Sequence, residues 1–132
     1  MLGLYLRPER TGMNYNDVHA VEGQLAELKQ EVLKYKDHPA LLLWGIGNEL
    51  DLKYTNTRVW DAVEELAKFI HDVDPNHPTS TVLAGIDPAK VHMVKTRCPA
   101  IDVLGVNAYG SIEKLPLNIR RFGWSKPYIV TE

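Results

Sequence analysis

LLLWGIGNE, residues 41–49, is the stretch on which the reading of this chain turns. Its first seven residues, Leu41–Gly47, are continuously apolar or glycine. The run is too short for a typical helix and predicts a strand buried on both faces. It ends on an amide and a carboxylate, Asn48 and Glu49. Before it, Val18, Val21, Leu25, Leu28 and Val32 recur at steps of three and four, one face of an amphipathic helix that Asn16 or Asp17 can cap. After it, Val59, Val63, Leu66, Ile70 and Val73 repeat the pattern until Pro75 and Pro78 stop it.

Outward from these helices the alternation continues. Leu2–Leu6 reads as a strand that breaks into the polar loop RPERTGMNYND. Thr79–Ala84 is the next strand. Asp87 and Pro88 then supply an N-cap and a first-turn proline for a helix to about Arg97. Ile101–Val106 is a strand, a short helix lies within 111–122 ahead of Gly123, and Tyr128–Thr131 is a fifth strand. The order β-α-β-α-β-α-β-α-β implies a parallel sheet with right-handed crossovers. Two α/β architectures satisfy it, an open doubly wound sheet and part of a (β/α)₈ barrel. A full barrel takes eight strands and about 250 residues. With 132 residues, a barrel here is expected to be a single partial domain over 1–132, truncated at both ends.

Composition narrows the partners. Fifteen Lys and Arg stand against 17 Asp and Glu, a net charge of −2, so no basic patch offers itself to nucleic acid. No apolar run reaches the length of a membrane span. The N-terminal MLGLYLRPER lacks the sequence of regions that marks a signal peptide. Cys98 is the only cysteine, so no internal disulfide forms. That fits a reducing compartment and leaves the periplasm and the exterior open.

In parallel α/β folds the working residues lie at the C-terminal ends of the strands. Here those ends carry Arg7 with Glu9, Asn48 with Glu49, Asp87, Asn107 with Tyr109, and Glu132. Glu49 and Glu132 each directly terminate an apolar strand. Two carboxylates on one rim are the minimum equipment for glycoside hydrolysis, one protonating the leaving oxygen and the other attacking the anomeric carbon or activating water.

YKDHPALLLWGIGNELD, followed by IDVLGVNAYG and KPYIVTE, resembles the catalytic barrel of glycoside hydrolase family 2, in the clan of retaining (β/α)₈ glycosidases. The shared pattern is His38-Pro39, then an apolar strand through Trp44 and Gly47 to Asn48-Glu49, then a later strand ending in Glu132. Leu50 stands where cellulase-type members of the clan carry proline, which favours family 2. The resemblance implies barrel strands three to seven, with Glu49 as general acid/base and Glu132 as nucleophile. Asn48 corresponds to the amide that bonds the sugar 2-hydroxyl, Tyr109 to a tyrosine beside the nucleophile, and Asn107 to a neighbouring rim residue. The substrate is then a carbohydrate, with neither metal nor organic cofactor required. The same site could pass the glycosyl group to a sugar hydroxyl instead of water. Strands one, two and eight and the family's β-sandwich domains have no counterpart here. That leaves sugar specificity and the activity of this chain alone open. Location is not readable from these residues; only the resemblance points to the periplasm or secretion for the full-length protein.

Other candidates read as structural. His71, Asp72, Asp74 and His77 span a helix end and a turn, not one helical face, so they do not read as a metal site. His19 and His38 read as structural or surface residues, Trp44 and Trp60 as packing, and Cys98 as inert. A non-catalytic α/β module remains the alternative, either a carbohydrate-binding relic or a flavodoxin-like domain, although Gly-Asn-Glu-Leu offers no phosphate cradle. A five-strand arc is further expected to self-associate through its exposed strand edges.

Overall fold

β1 (Leu2–Leu4), β2 (Trp44–Asn48), β3 (Thr79–Ala84), β4 (Val103–Asn107) and β5 (Tyr128–Val130) lie side by side in the order in which the chain makes them. This is seen in a computed structural model that describes residues 1–110 and 112–132. Every neighbouring pair is parallel. A doubly wound sheet reverses its strand order at a switch point, and this sheet does not. The winding is that of a (β/α)₈ barrel, of which the described residues form a five-stranded arc.

The helices α1 (Val18–Tyr35), α2 (Arg58–Val73), α3 (Pro88–Arg97) and α4 (Leu115–Arg121) fill the crossovers. Local chemistry starts them where the sequence implies. Asp17, not Asn16, caps α1 by accepting from the Ala20 N–H at 3.1 Å. Asp87 caps α3 through the Lys90 N–H at 2.8 Å, with Pro88 in the first turn. The predicted helix of 111–122 is α4, preceded by a short turn of 3₁₀ helix at Ile112–Lys114; Ser111 lies outside the described residues.

Helix α2 is the anchor of the core. Val59, Trp60, Val63, Leu66, Ala67 and Ile70 are fully withdrawn from water. They pack in one cluster with Trp44, Ile46, Leu83, Leu104 and Val106 from the strands. Each valine, leucine or isoleucine among them contributes roughly 1.5–3 kcal/mol on burial.

Several strand boundaries differ from expectation; β5, for one, ends at Val130 and not at Thr131. The run at 41–47 pairs only from Trp44, because the chain is still turning at His38–Leu41, where the Leu41 N–H bonds the His38 carbonyl at 3.0 Å. Nor is β2 lined by large side chains on both faces. Trp44 and Ile46 enter the helix-side core, while Gly45 and Gly47 face a hollow on the other side. β1 stops at Leu4, where the Leu6 N–H turns back to the Leu4 carbonyl. β4 starts two residues late, because the chain is still turning at Cys98–Ile101, where the Ile101 N–H bonds the Cys98 carbonyl at 3.0 Å.

Candidate active site

The C-terminal end of β2 is bent on purpose. Between Gly45 and Asn48 the pairing with β3 slips by one residue, so β2 carries one extra residue there. Gly47 takes up the bend with φ +68°. A Cβ at Gly47 would lie 2.5 Å from Cδ1 and 2.8 Å from Cγ of Leu50, which is folded beneath it. Only glycine fits, for conformation and for space alike. Glu49 follows with φ +52°, a left-handed backbone that non-glycine residues seldom adopt. Such strain persists only where surrounding contacts enforce it. Here the Glu49 N–H donates to the Val82 carbonyl at 2.8 Å, and Arg10 donates to the Glu49 carbonyl. The side chain is held as well, since Asn107 Nδ2 donates to Glu49 Oε1 at 3.0 Å.

Asn107 is the hinge of the arrangement. Its side chain is buried, and its Oδ1 accepts from the Thr131 hydroxyl at 2.6 Å. That bond turns Nδ2 towards Glu49 Oε1 and Asn48 Oδ1, the second at 3.3 Å. One amide thus ties the ends of β2, β4 and β5 together. The ladder between β4 and β5 continues into the Ala108 N–H, which bonds the Glu132 carbonyl at 2.8 Å.

Above it, the Tyr109 hydroxyl donates to Glu132 Oε2. That hydrogen bond raises the pKa of the phenol above its ordinary value, helped by desolvation and by the negative charges of Glu132 and Glu49. The phenolic oxygen therefore feels both carboxylates at once. All five residues singled out in the sequence, Asn48, Glu49, Asn107, Tyr109 and Glu132, meet on one rim. Asn48 and Glu132 also line a cavity of about 300 Å³ with Tyr5, Gly47, Val82 and Thr131. A larger hollow, about 740 Å³, lies beside Trp124, Lys126 and Tyr128 and holds no carboxylate. Reactive groups, not size, single out the smaller one.

Other strand-end residues are diverted to structural work. Arg7 turns towards α1 and pairs with Glu27 at 3.5 Å. The Glu9 carboxylate accepts from the Asn56 and Thr55 N–H groups and the Thr55 hydroxyl, which hold its pKa below the ordinary value. His71 pairs with Asp102, and His77 with Asp74, both at 2.8 Å. Among the described residues no group of three or more His, Cys, Asp or Glu is placed to hold a metal. Burial pushes the Cys98 thiol up to about 12, with Glu64 and Asp61 adding to the shift, so it stays protonated. Trp124, which the sequence leaves unplaced, is buried and donates to the Pro127 carbonyl at 2.9 Å. Sequence reasoning missed Arg10 and Thr131. Thr131 was within reach as the neighbour of Glu132; the contact between Arg10 and Glu49 bridges two loops and has no local signal.

Comparison with known proteins places this geometry. The family described as glycosyl hydrolases family 2, TIM barrel domain, matches residues 9–132. Mannan endo-1,4-beta-mannosidase F of Aspergillus clavatus is 37% identical over 57 residues, 42% of this chain and 13% of that protein. A putative mannan endo-1,4-beta-mannosidase 4 of Arabidopsis thaliana is 39% identical over 49 residues, 36% of this chain and 12% of that protein. The match thus spans about an eighth of the length of these curated relatives. Among solved structures, a beta-D-glucuronidase from Dictyoglomus thermophilum superposes with a TM-score of 0.62 at 21% identity, covering 83% of this chain and 20% of that one. An FMN-binding beta-glucuronidase from Faecalibacterium prausnitzii L2-6 gives 0.59 at 23% identity, covering 83% and 17%. At these identities the two structures speak for the fold.

Proposed function

The chain belongs to the TIM barrel domains of the family 2 glycosyl hydrolases, and on that premise we propose that it carries the two catalytic carboxylates of a retaining glycosidase. Its five strands stand for about strands three to seven of the barrel. Glu49 protonates the departing glycosidic oxygen as Glu132 attacks the anomeric carbon, giving a covalent glycosyl-enzyme. Glu49 then takes a proton from water, which releases the sugar with its original configuration. Asn107 keeps the Glu49 carboxyl aimed, and Asn48 presents its amide to the sugar. Tyr109 holds Glu132 at the angle of attack and supplies a donor that steadies its charge.

The observation that carries this reading is the convergence of both carboxylates on the shared Asn107–Tyr109 framework at the C-terminal ends of the strands. Such ends are where barrel enzymes work. The test begins with nitrophenyl β-mannosides and β-glucuronides and with β-1,4-linked mannan, after the names of the similar proteins. The full-length protein is expected to cleave one of them, and NMR of the first-formed product is expected to show retention. Inversion would sink the double displacement. Adding a sugar acceptor distinguishes hydrolysis from transfer.

A further inference from the structure

Resting on the reading of Glu49 as acid/base, we propose that Asp51 and Lys90 form a buried ionic latch that positions Glu49 for proton transfer. The Asp51 side chain is wholly withdrawn from solvent, although it follows the rim by only two residues. Its Oδ1 accepts from the Ala84 N–H at 3.0 Å, at the last residue of β3. Its Oδ2 lies 2.6 Å from the Lys90 ammonium. The same ammonium donates to the Ala84 carbonyl at 2.6 Å. Lys90 is itself fixed in the first turn of α3, where its N–H bonds the Asp87 cap. Three segments, the loop after β2, the end of β3 and the start of α3, therefore close on one carboxylate.

The Lys90 side chain keeps only about a quarter of its surface in water, and an ion pair so largely withdrawn is a poor way to gain stability, because desolvation of the charges offsets their attraction. It is a good way to fix a geometry, since each partner is costly to leave alone. The fixed geometry here is that of Glu49. Leu50, the one residue between them, is buried under Gly47. The backbone on either side is left-handed, at Glu49 and again at Lys53. Past Lys53 the loop is tied again, at Thr55 and Asn56, by the Glu9 carboxylate. Releasing Asp51 frees the middle of this strap and lets the strained turn at Glu49 relax away from Asn107. Asp51 touches no substrate in this scheme; it is a positioning residue.

The test uses leaving groups of unequal need. Departure of 2,4-dinitrophenolate needs no proton, whereas departure of phenolate does. In the full-length protein, Asp51→Asn is expected to lower kcat/KM for the phenyl glycoside about 100-fold and that for the dinitrophenyl glycoside by no more than about threefold. Lys90→Arg, which keeps the charge, is expected to restore most of the loss seen in Lys90→Met. An equal fall for both substrates, or no fall, overturns the latch. If Asp51→Asn shows no cooperative melt, Lys90→Met carries the same comparison, because it leaves Asp51 bonded to the Ala84 N–H. Glu49→Gln is the control and must show the largest split between the two substrates. If it does not, the acid/base reading has failed and the latch falls with it. If Glu49→Gln splits them and neither latch variant does, the latch alone is wrong.

Discussion

The two ends of one sheet use carboxylates in opposite ways. At the N-terminal ends of the strands, Asp74 accepts from Trp44 Nε1 at 2.8 Å and pairs with His77, and Asp102 accepts from the Thr79 N–H at 2.9 Å and pairs with His71. These bonds tie the starts of β2 and β3 to the end of α2 and to the loop before β4. At the C-terminal ends, among the described residues, Glu49 Oε1 meets only the Asn107 amide, and Glu132 Oε2 meets only the exposed Tyr109 hydroxyl. An ionised carboxylate has about four acceptor positions. The lower pair spends them on the fold, whereas the upper pair leaves most of them unused by the described residues. In a parallel barrel the rim reads as chemistry and the base as stability.

The largest expected effect breaks this contrast at the rim. Glu132→Gln in the full-length protein is expected to lower kcat on the order of 10⁴-fold or more, as loss of a nucleophile does. The melting temperature should hardly move. A variant that melts early, or one that still turns over, would show that Glu132 belongs with the structural carboxylates. Gly47→Ala tests the joint between rim and core. It adds a left-handed alanine and a collision with Leu50, which together are expected to cost about 2–4 kcal/mol in urea denaturation, with activity lost as well.

The base should respond in the opposite sense. Asp74→Ala leaves the buried Trp44 N–H without an acceptor, expected to cost about 1–3 kcal/mol in a thermal melt with kcat unchanged. The smallest effect is a pH dependence at Asp102. Burial pulls its carboxyl up, but the Thr79 N–H, His71 and the Thr79 hydroxyl outweigh that and hold its pKa below the ordinary value. A depressed folded-state pKa adds stability that is fully present above the unfolded value, about 4, and is lost as pH falls through the folded one. Wild type should therefore melt above Asp102→Asn at pH 6, and the gap should close as the pH is lowered below about 4. A gap that is constant with pH would mean that the pair contributes through packing alone.

Much of this was legible locally. The helical stripe of α2 and the caps at Asp17 and Asp87 depend on neighbours a few residues away, and the structure places them where the pattern does. Edges of strands were less legible, because pairing begins where a neighbouring strand is present, as at Trp44 and Val103. A continuous apolar run also hid which of its residues carry side chains to which face. Gly45 and Gly47 leave the second face of β2 open to a cavity that the hydrophobic pattern reads as filled.

The sequence by itself determined the alternation of strands and helices, the glycosidase family and the five rim candidates. Those depend on short-range periodicity and on short motifs that keep their spacing along the chain. Tertiary structure alone decided the strand order that makes the sheet a barrel arc, the conversion of Glu9, Asp74 and Asp102 into structural acceptors, and the Asp51–Lys90 pair beside the rim. The physical reason is the same in each case. A carboxylate acquires its role from the donors that reach it, and those donors come from strands and loops far away in sequence, brought within about 3 Å only when the strands have paired into one sheet.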